Sequence, residues 1–158
     1  SIWSEGKTFE KLTPAVNSVD LWLEKLPTSS RSLALKFLTP ARLISQGKPL
    51  FQPTFSRIFP FIMRRVTSMF YHSCHLELDV DFKNLIELTA CVREKTNRLT
   101  WEDWKLTGSK RELGGFINEV GVEGEELEKF SWLLKLGALM NIGKGAAYGA
   151  GGYQVEPC

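Results

Sequence analysis

The sequence predicts an α+β fold: a ferredoxin-like (RRM-like) sandwich with a four-stranded antiparallel sheet, two helices on one face, and an N-terminal strand extension. Three observations predict it. From Ser32 onward the apolar pattern changes in the order strand, helix, strand, strand, helix, strand, which is the split βαβ order. Two long stretches repeat their apolar residues at helical spacing, whereas the runs between them read as extended. Right-handed crossovers then bring both long helices to one face of the sheet and leave the other face free.

Each element has a local cause. Val19–Leu23 and Leu33–Phe37 alternate apolar and mixed positions, and Pro27-Thr28-Ser29-Ser30 between them is turn-forming; two strands and a tight connection follow. Thr39-Pro40 is expected to end the second strand, because proline cannot donate to a ladder. Ser45-Gln46-Gly47-Lys48-Pro49 reads as a loop. Phe55, Ile58, Phe59, Ile62, Val66, Met69 and Phe70 form a helical stripe with Arg57, Arg64 and Arg65 off it, the pattern of a half-buried helix. Pro60 inside that pattern should kink it or mark a late first turn. Asp81 is a possible cap for a short helix to Leu88. Thr89–Trp101 and Leu113–Val122 read as extended, with Gly114-Gly115 marking a bulge or a close backbone approach. Glu125–Met140 is the second long helix, with acidic residues in its first turn and Gly143 just past its end, suited to a left-handed cap. Gly152–Glu156 is the last strand.

The chain has 158 residues and a net charge of +2, enough for one domain with an extension and too balanced for a strongly basic nucleic-acid coat. Residues 1–31 read as an N-terminal extension, the remnant of an upstream domain, and 32–158 as the ferredoxin-like domain. The chain opens at Ser1 without a Met, which points to a fragment or a trimmed protein. No apolar run approaches the ~20 residues of a membrane span, and no leader pattern opens the chain. Cys74, Cys91 and Cys158 are scattered, as in a reducing cytoplasm. His72, Cys74 and His75 share one short turn and would seldom converge on an ion, so no metal or other cofactor is expected.

The most informative stretch is Asn141–Val155. Five glycines, at 143, 145, 149, 151 and 152, follow directly on a helical run, together with Lys144, Tyr148 and Tyr153. Glycine is costly to order, so such a cluster marks a backbone that must go where side chains cannot. Its N–H groups, one cation and two aromatic rings suit phosphate charge and a base face. It is not a dinucleotide fingerprint, which follows a strand and opens a helix; this loop does the reverse.

Phe37-Leu38-Thr39-Pro40-Ala41-Arg42 followed by a Gly-Lys loop, Leu99-Thr100-Trp101-Glu102-Asp103-Trp104, Leu113-Gly114-Gly115-Phe116, and Ile142-Gly143-Lys144-Gly145 running to Tyr148-Gly149-Ala150-Gly151 occur in that order. Together they resemble the C-terminal half of the CRISPR repeat-processing endoribonucleases of the RAMP (repeat-associated mysterious protein) superfamily, over about residues 32–156. The resemblance implies two ferredoxin-like domains in the whole protein and a cytoplasmic role in antiviral defence. It also implies binding of CRISPR repeat RNA and one metal-independent cut per repeat by attack of the ribose 2′-OH. In that family the catalytic side chains usually come from the N-terminal domain, and the glycine loop binds RNA.

The catalytic residues of this chain are therefore unassigned. His72 and His75 could act as base and acid in principle, but they read more simply as helix-end histidines. The RNA-binding set is Gly143, Lys144, Gly145, Tyr148, Gly149 and Gly151, with Arg42 and Lys48 as a phosphate track and Lys110 and Arg111 as further cations. Arg64 and Arg65 read as solvated helix residues, and Trp101 and Trp104 as core or edge cover. A non-catalytic scaffold subunit of a CRISPR effector complex, working alongside other CRISPR-associated proteins, is a second reading. A ferredoxin-like domain for a protein or small ligand, without RNA, is a third.

Overall fold

The computed structural model describes residues 2–4, 7–9, 31–105 and 112–158. The expected strand over 19–23, the turn 27–30, and Lys110 and Arg111 lie outside these residues. Two short strands, β1 (Ile2–Ser4) and β2 (Lys7–Phe9), pair antiparallel.

The central sheet is antiparallel, and it has five strands rather than four. Its middle is β3 (Ser32–Ala41), flanked by β8 (Glu112–Glu123) and β9 (Tyr153–Pro157). The far edge of β8 is covered by two strands in tandem, β6 (Arg93–Asn97) and β7 (Thr100–Lys105). The extended run expected over 89–101 is thus a 3-10 turn, Thr89–Cys91, and then a strand broken at Arg98-Leu99. Opposite the break, β8 carries Asn118 at φ 72°. Left-handed backbone at a non-glycine residue interrupts a ladder, and the partner strand has to break with it.

Pro40 does not end its strand. β3 continues to Ala41 because its register against β8 jumps between Phe37 and Ala41, and within that bulge no ladder N–H is asked of Pro40. Ser45–Pro49 is not a plain loop either. It folds into the hairpin β4 (Ile44–Ser45) and β5 (Lys48–Pro49), turned by Gln46 and Gly47 at φ 50° and 76°. Two positive φ values match the twist of a two-residue hairpin.

One face of the sheet carries α1 (Phe55–Met69) and α3 (Leu127–Met140). α1 is helical throughout with Pro60 in its second turn, where the carbonyl displaced by the ring, that of exposed Ser56, can turn to water. It runs on through a π-helical turn, Phe70–Cys74, to His75 at φ 54°. The short helix α2 (Phe82–Leu88) starts where Asp81 accepts from the Asn84 amide at 3.0 Å. The two long helices run parallel. Phe59 meets Phe130 at 5.1 Å, Ile62 lies against Gly137, and Arg65 Nε donates to the Met140 carbonyl at 3.2 Å. Arg65 is thus a cation on the C-terminus of α3, where it favours the dipole, rather than a free solvated residue.

The apolar stripes expected from the sequence form the core. Leu35, Phe37, Phe116 and Val120 from the sheet and Ile58, Phe59, Ile62, Phe130 and Leu134 from the helices are buried together. Each such side chain contributes roughly 1.5–3 kcal/mol, so this layer fixes the end of the sheet from which the glycine loop springs.

Candidate nucleic-acid interface

The loop begins where α3 stops. Asn141 breaks the helix at φ 54°, and Gly143, Gly145, Gly149 and Gly151 all take positive φ. At two of these positions space also forbids a side chain. A Cβ on Gly143 would stand 2.6 Å from the Arg42 carbonyl oxygen, and one on Gly151 would overlap the Ile142 carbonyl. The loop therefore sits tightly against the end of β3, and the glycines permit that approach.

Its hydrogen bonds show what it offers. Lys144 N–H donates to Arg42 at 2.9 Å, Gly151 N–H to Pro40 at 2.9 Å and Ile142 N–H to Gly151 at 3.0 Å. Thr39 Oγ1 donates to the Gly149 carbonyl at 2.8 Å and accepts from the Gly152 amide at 2.7 Å. The Ala146–Tyr148 turn uses the amides of Ala146, Tyr148, Gly149 and Ala150 internally. The expected row of free N–H groups is thus much shorter. Gly143, Gly145 and Ala147 are the loop amides after Ile142 that have no partner among the described residues. Most of the backbone is committed to holding the loop's shape.

The side chains remain presented. Lys144 is exposed, and Tyr148 is 90% exposed at the tip of the turn. Because Lys144 N–H bonds Arg42, the two cationic residues share one backbone junction. The Arg42 guanidinium stands over the Trp101 ring at 5.9 Å, within cation–π range. Trp101 in turn meets Phe51 at 4.7 Å between ring centroids. Phe51 and Lys48 line one surface cleft below the β4–β5 hairpin. Arg42 and the cleft that Lys48 lines thus share the Trp101–Phe51 pair, and Lys144 meets Arg42 through the backbone. Gly114 makes room for it: a Cβ there would overlap Asp103 and crowd the Trp101 ring. Gly115 lets β8 lie against the Ala41 backbone, where a Cβ would come within 2.7 Å. The Gly-Gly pair marks the close approach expected of it.

Sequence reasoning missed Phe51. It lies outside any periodic run, and its partner Trp101 is distant in the chain, so no spacing rule joins them. Its signal was an aromatic residue two positions after a Gly-Lys-Pro turn.

A larger cleft of about 590 Å³ lies beside the loop, lined by Leu38, Lys135, Leu139, Gly149 and Tyr153 among others. It is mostly apolar. Lys135 is buried there, and desolvation lowers its ammonium below the ordinary lysine range. His72, edge-on to Tyr71 at 5.2 Å, and His75 are exposed at the end of α1. Among the described residues, no three His, Cys, Asp or Glu side chains are grouped so as to hold a metal ion. Among the same residues, no helix is long and apolar enough to cross a membrane.

A family model described as CRISPR-associated endoribonuclease Cas6 matches residues 35–153. No curated protein matches the chain. Among solved structures, a Cas6 product complex superposes with a TM-score of 0.64 at 16% identity, covering 94% of this chain and 60% of the other. A Thermus thermophilus Cas6 gives 0.64 at 17% identity, covering 88% and 58%. A Cas6 substrate mimic complex gives 0.57 at 16% identity, covering 89% and 58%. The chain thus spans about three fifths of the length of the structures it resembles.

Proposed function

We propose that this chain, which belongs to the CRISPR-associated endoribonuclease Cas6 family, binds CRISPR repeat RNA as the RNA-holding part of a metal-independent repeat-processing enzyme. The observation that carries the reading is the junction of Lys144 with Arg42 at the base of an exposed glycine turn. A rigid loop with cations at its foot and Tyr148 at its tip suits a flexible polyanion with stacking bases. Lys144, Arg42 and Lys48 pair with phosphates. Tyr148 stacks on a base, and the amides of Gly143 and Gly145 reach the backbone between them. The remaining glycines, Gly149 and Gly151, give the loop its curvature.

Residues 32–158 act as one ferredoxin-like unit on this reading, and residues 1–31 belong to a preceding unit. The strand order β6/β7–β8–β3–β9, with both long helices on one face, supports that architecture. Cleavage, when it occurs, needs a base and an acid flanking a 2′-OH and a leaving 5′ oxygen. The family's reaction class leads us to infer cytoplasmic action on a CRISPR transcript.

The test is a gel shift with repeat RNA from a CRISPR array of the source genome, at low salt and in EDTA. Retention is expected. Absence of retention removes the RNA reading and leaves a protein- or ligand-binding domain. Incubation of the retained complex then separates the enzyme, which leaves a 2′,3′-cyclic phosphate, from a scaffold subunit, which leaves the RNA whole.

A further inference from the structure

We infer that the cleft beneath the β4–β5 hairpin is a subsite for one unpaired nucleotide, with its base stacked on Phe51. The inference rests on the RNA-binding reading above and names a contact that the glycine loop does not supply. Phe51 is 59% exposed, whereas its neighbour Leu50 is buried. Its ring is nonetheless held. Trp101 lies against it at 4.7 Å and 54°, and the Trp101 indole N–H donates to Asp103 Oδ1 at 2.8 Å. The missing Gly114 side chain leaves space for that indole. An exposed aromatic ring fixed from behind presents one face at little entropic cost, which is what base stacking asks of a protein.

The surroundings fit a nucleotide rather than an apolar partner. The cleft holds about 360 Å³ and is lined by Gln46, Lys48, Phe51, Gln52 and Arg57 among others. Lys48 and Arg57 are exposed cations on the cleft wall, placed for a phosphate; the Gln46 amide can both donate and accept at a base edge, and Gln52, whose Nε2 donates to the Asn97 carbonyl at 3.4 Å, keeps its oxygen as an acceptor. Trp101 also carries the Arg42 guanidinium, whose Nε is buried without a hydrogen-bond partner among the described residues. Arg42 leads directly to Lys144 through the backbone. A strand of RNA crossing the glycine loop would thus meet a stacking platform next, with cations on either side. Stacking of this kind tolerates any base, so the subsite orders an unpaired nucleotide without reading its identity.

The experiment places 2-aminopurine in turn at each unpaired position of the repeat RNA and follows its fluorescence on binding. Besides the base stacked on Tyr148, one further position should be quenched by the chain, unquenched by F51A and quenched again by F51W. Loss of one stacked base should weaken binding by roughly 5- to 150-fold. If F51A melts early, F51L keeps the apolar bulk without the π face, and it too should fail to quench. A complex in which no position is quenched, or in which F51A and F51L quench as the parent does, overturns the subsite while leaving the RNA reading intact. Failure of the parent chain to bind at all overturns that reading instead.

Discussion

The amide of Lys144 donates to the carbonyl of Arg42 at 2.9 Å, so the first turn of the glycine loop is fastened to the end of β3. The charge carried by the loop is therefore positioned by backbone, and its side chain is free for a ligand. Lys144→Ala should leave the fold untouched. It should lower affinity for repeat RNA and reduce the slope of log affinity against log salt by about 1. A salt titration of binding checks this, and an unchanged slope would remove Lys144 from the phosphate set.

The glycines of the loop should not respond alike to alanine. A Cβ at Gly143 meets the Arg42 carbonyl at 2.6 Å, whereas one at Gly149 meets nothing within 4 Å. Both have positive φ, at 84° and 88°, and so share the left-handed cost of roughly 1–2 kcal/mol. Gly143→Ala adds a backbone clash and should also shift Lys144, losing RNA affinity. Gly149→Ala should show the strain alone. Equal losses in urea melts and in binding would mean that the loop yields at Gly143 rather than holding.

Thr39 is the second fastening. Its hydroxyl both donates to Gly149 and accepts from the Gly152 amide, and valine has the same shape with neither capacity. Thr39→Val should cost about 1–3 kcal/mol, because the part-buried Gly152 amide loses its partner. Faster amide exchange at Gly152 should accompany the loss. Full protection there would show that the hydroxyl is dispensable.

Much of this fold can be read from single residues. The 55–69 stripe and the Asp81 cap act locally, through periodicity and capping, and they sit where those rules put them, whereas α3 ends at Asn141, at φ 54°, and not on the left-handed glycine cap expected of Gly143. What escaped reading depends on contacts across the sheet. Pro40 stays in its strand because β8 jumps register there, and the 89–101 run breaks because Asn118 on the facing strand turns left-handed. The same limit applies to the site. The glycines and Lys144 announced a loop, but Phe51 and Trp101 meet only after β7 has paired with β8. That most of the loop's amides serve the fold is likewise invisible until Thr39 and Pro40 are seen beneath it.

Tyr153 and Gly137 form a matched pair at the root of the loop. The phenol donates to the Leu134 carbonyl at 2.6 Å, and a Cβ on Gly137 would overlap that hydroxyl and crowd Ile62. Glycine within a helix normally costs ~1 kcal/mol against alanine. Here Gly137→Ala should destabilise, and a higher melting temperature would contradict the packing. Burial pushes the Tyr153 phenol well above the ordinary tyrosine range. The folded state therefore keeps its proton at pH values where the unfolded chain has released it. The phenol's contribution is complete below about pH 10, the value for an unfolded chain, and falls as pH rises beyond it toward the folded value. Tyr153→Phe should cost about 1 kcal/mol at neutral pH and lose less stability than the parent chain above pH ~10. Parallel curves for the two proteins between neutral and alkaline pH would refute the linkage.

The start of α1 is capped from a distance. Thr54, at the capping position, makes no side-chain cap bond, and the Phe55 amide donates instead to Glu94 Oε2 on β6 at 2.9 Å. The other carboxylate oxygen accepts from Asn97 Nδ2 at 3.0 Å, and that amide also donates to the Pro53 carbonyl at 3.1 Å. One carboxylate thus serves the helix N-terminus, where a negative charge also favours the dipole, and the chain that leads into it from the Phe51 cleft. Glu94→Gln keeps an acceptor but removes the charge, and it should cost less than Glu94→Ala, which removes both. The alanine variant should lose about 1–2 kcal/mol in urea unfolding, as when a helix loses its capping side chain. Because Asn97 and Pro53 anchor the segment that follows Phe51, the same variant should raise hydrogen exchange across residues 50–55 while leaving the Gly152 amide protected. Unchanged exchange in that segment would mean that the hairpin and its cleft are held without Glu94, by the Phe51–Trp101 contact and the Leu50–Leu43 and Gln52–Asn97 bonds.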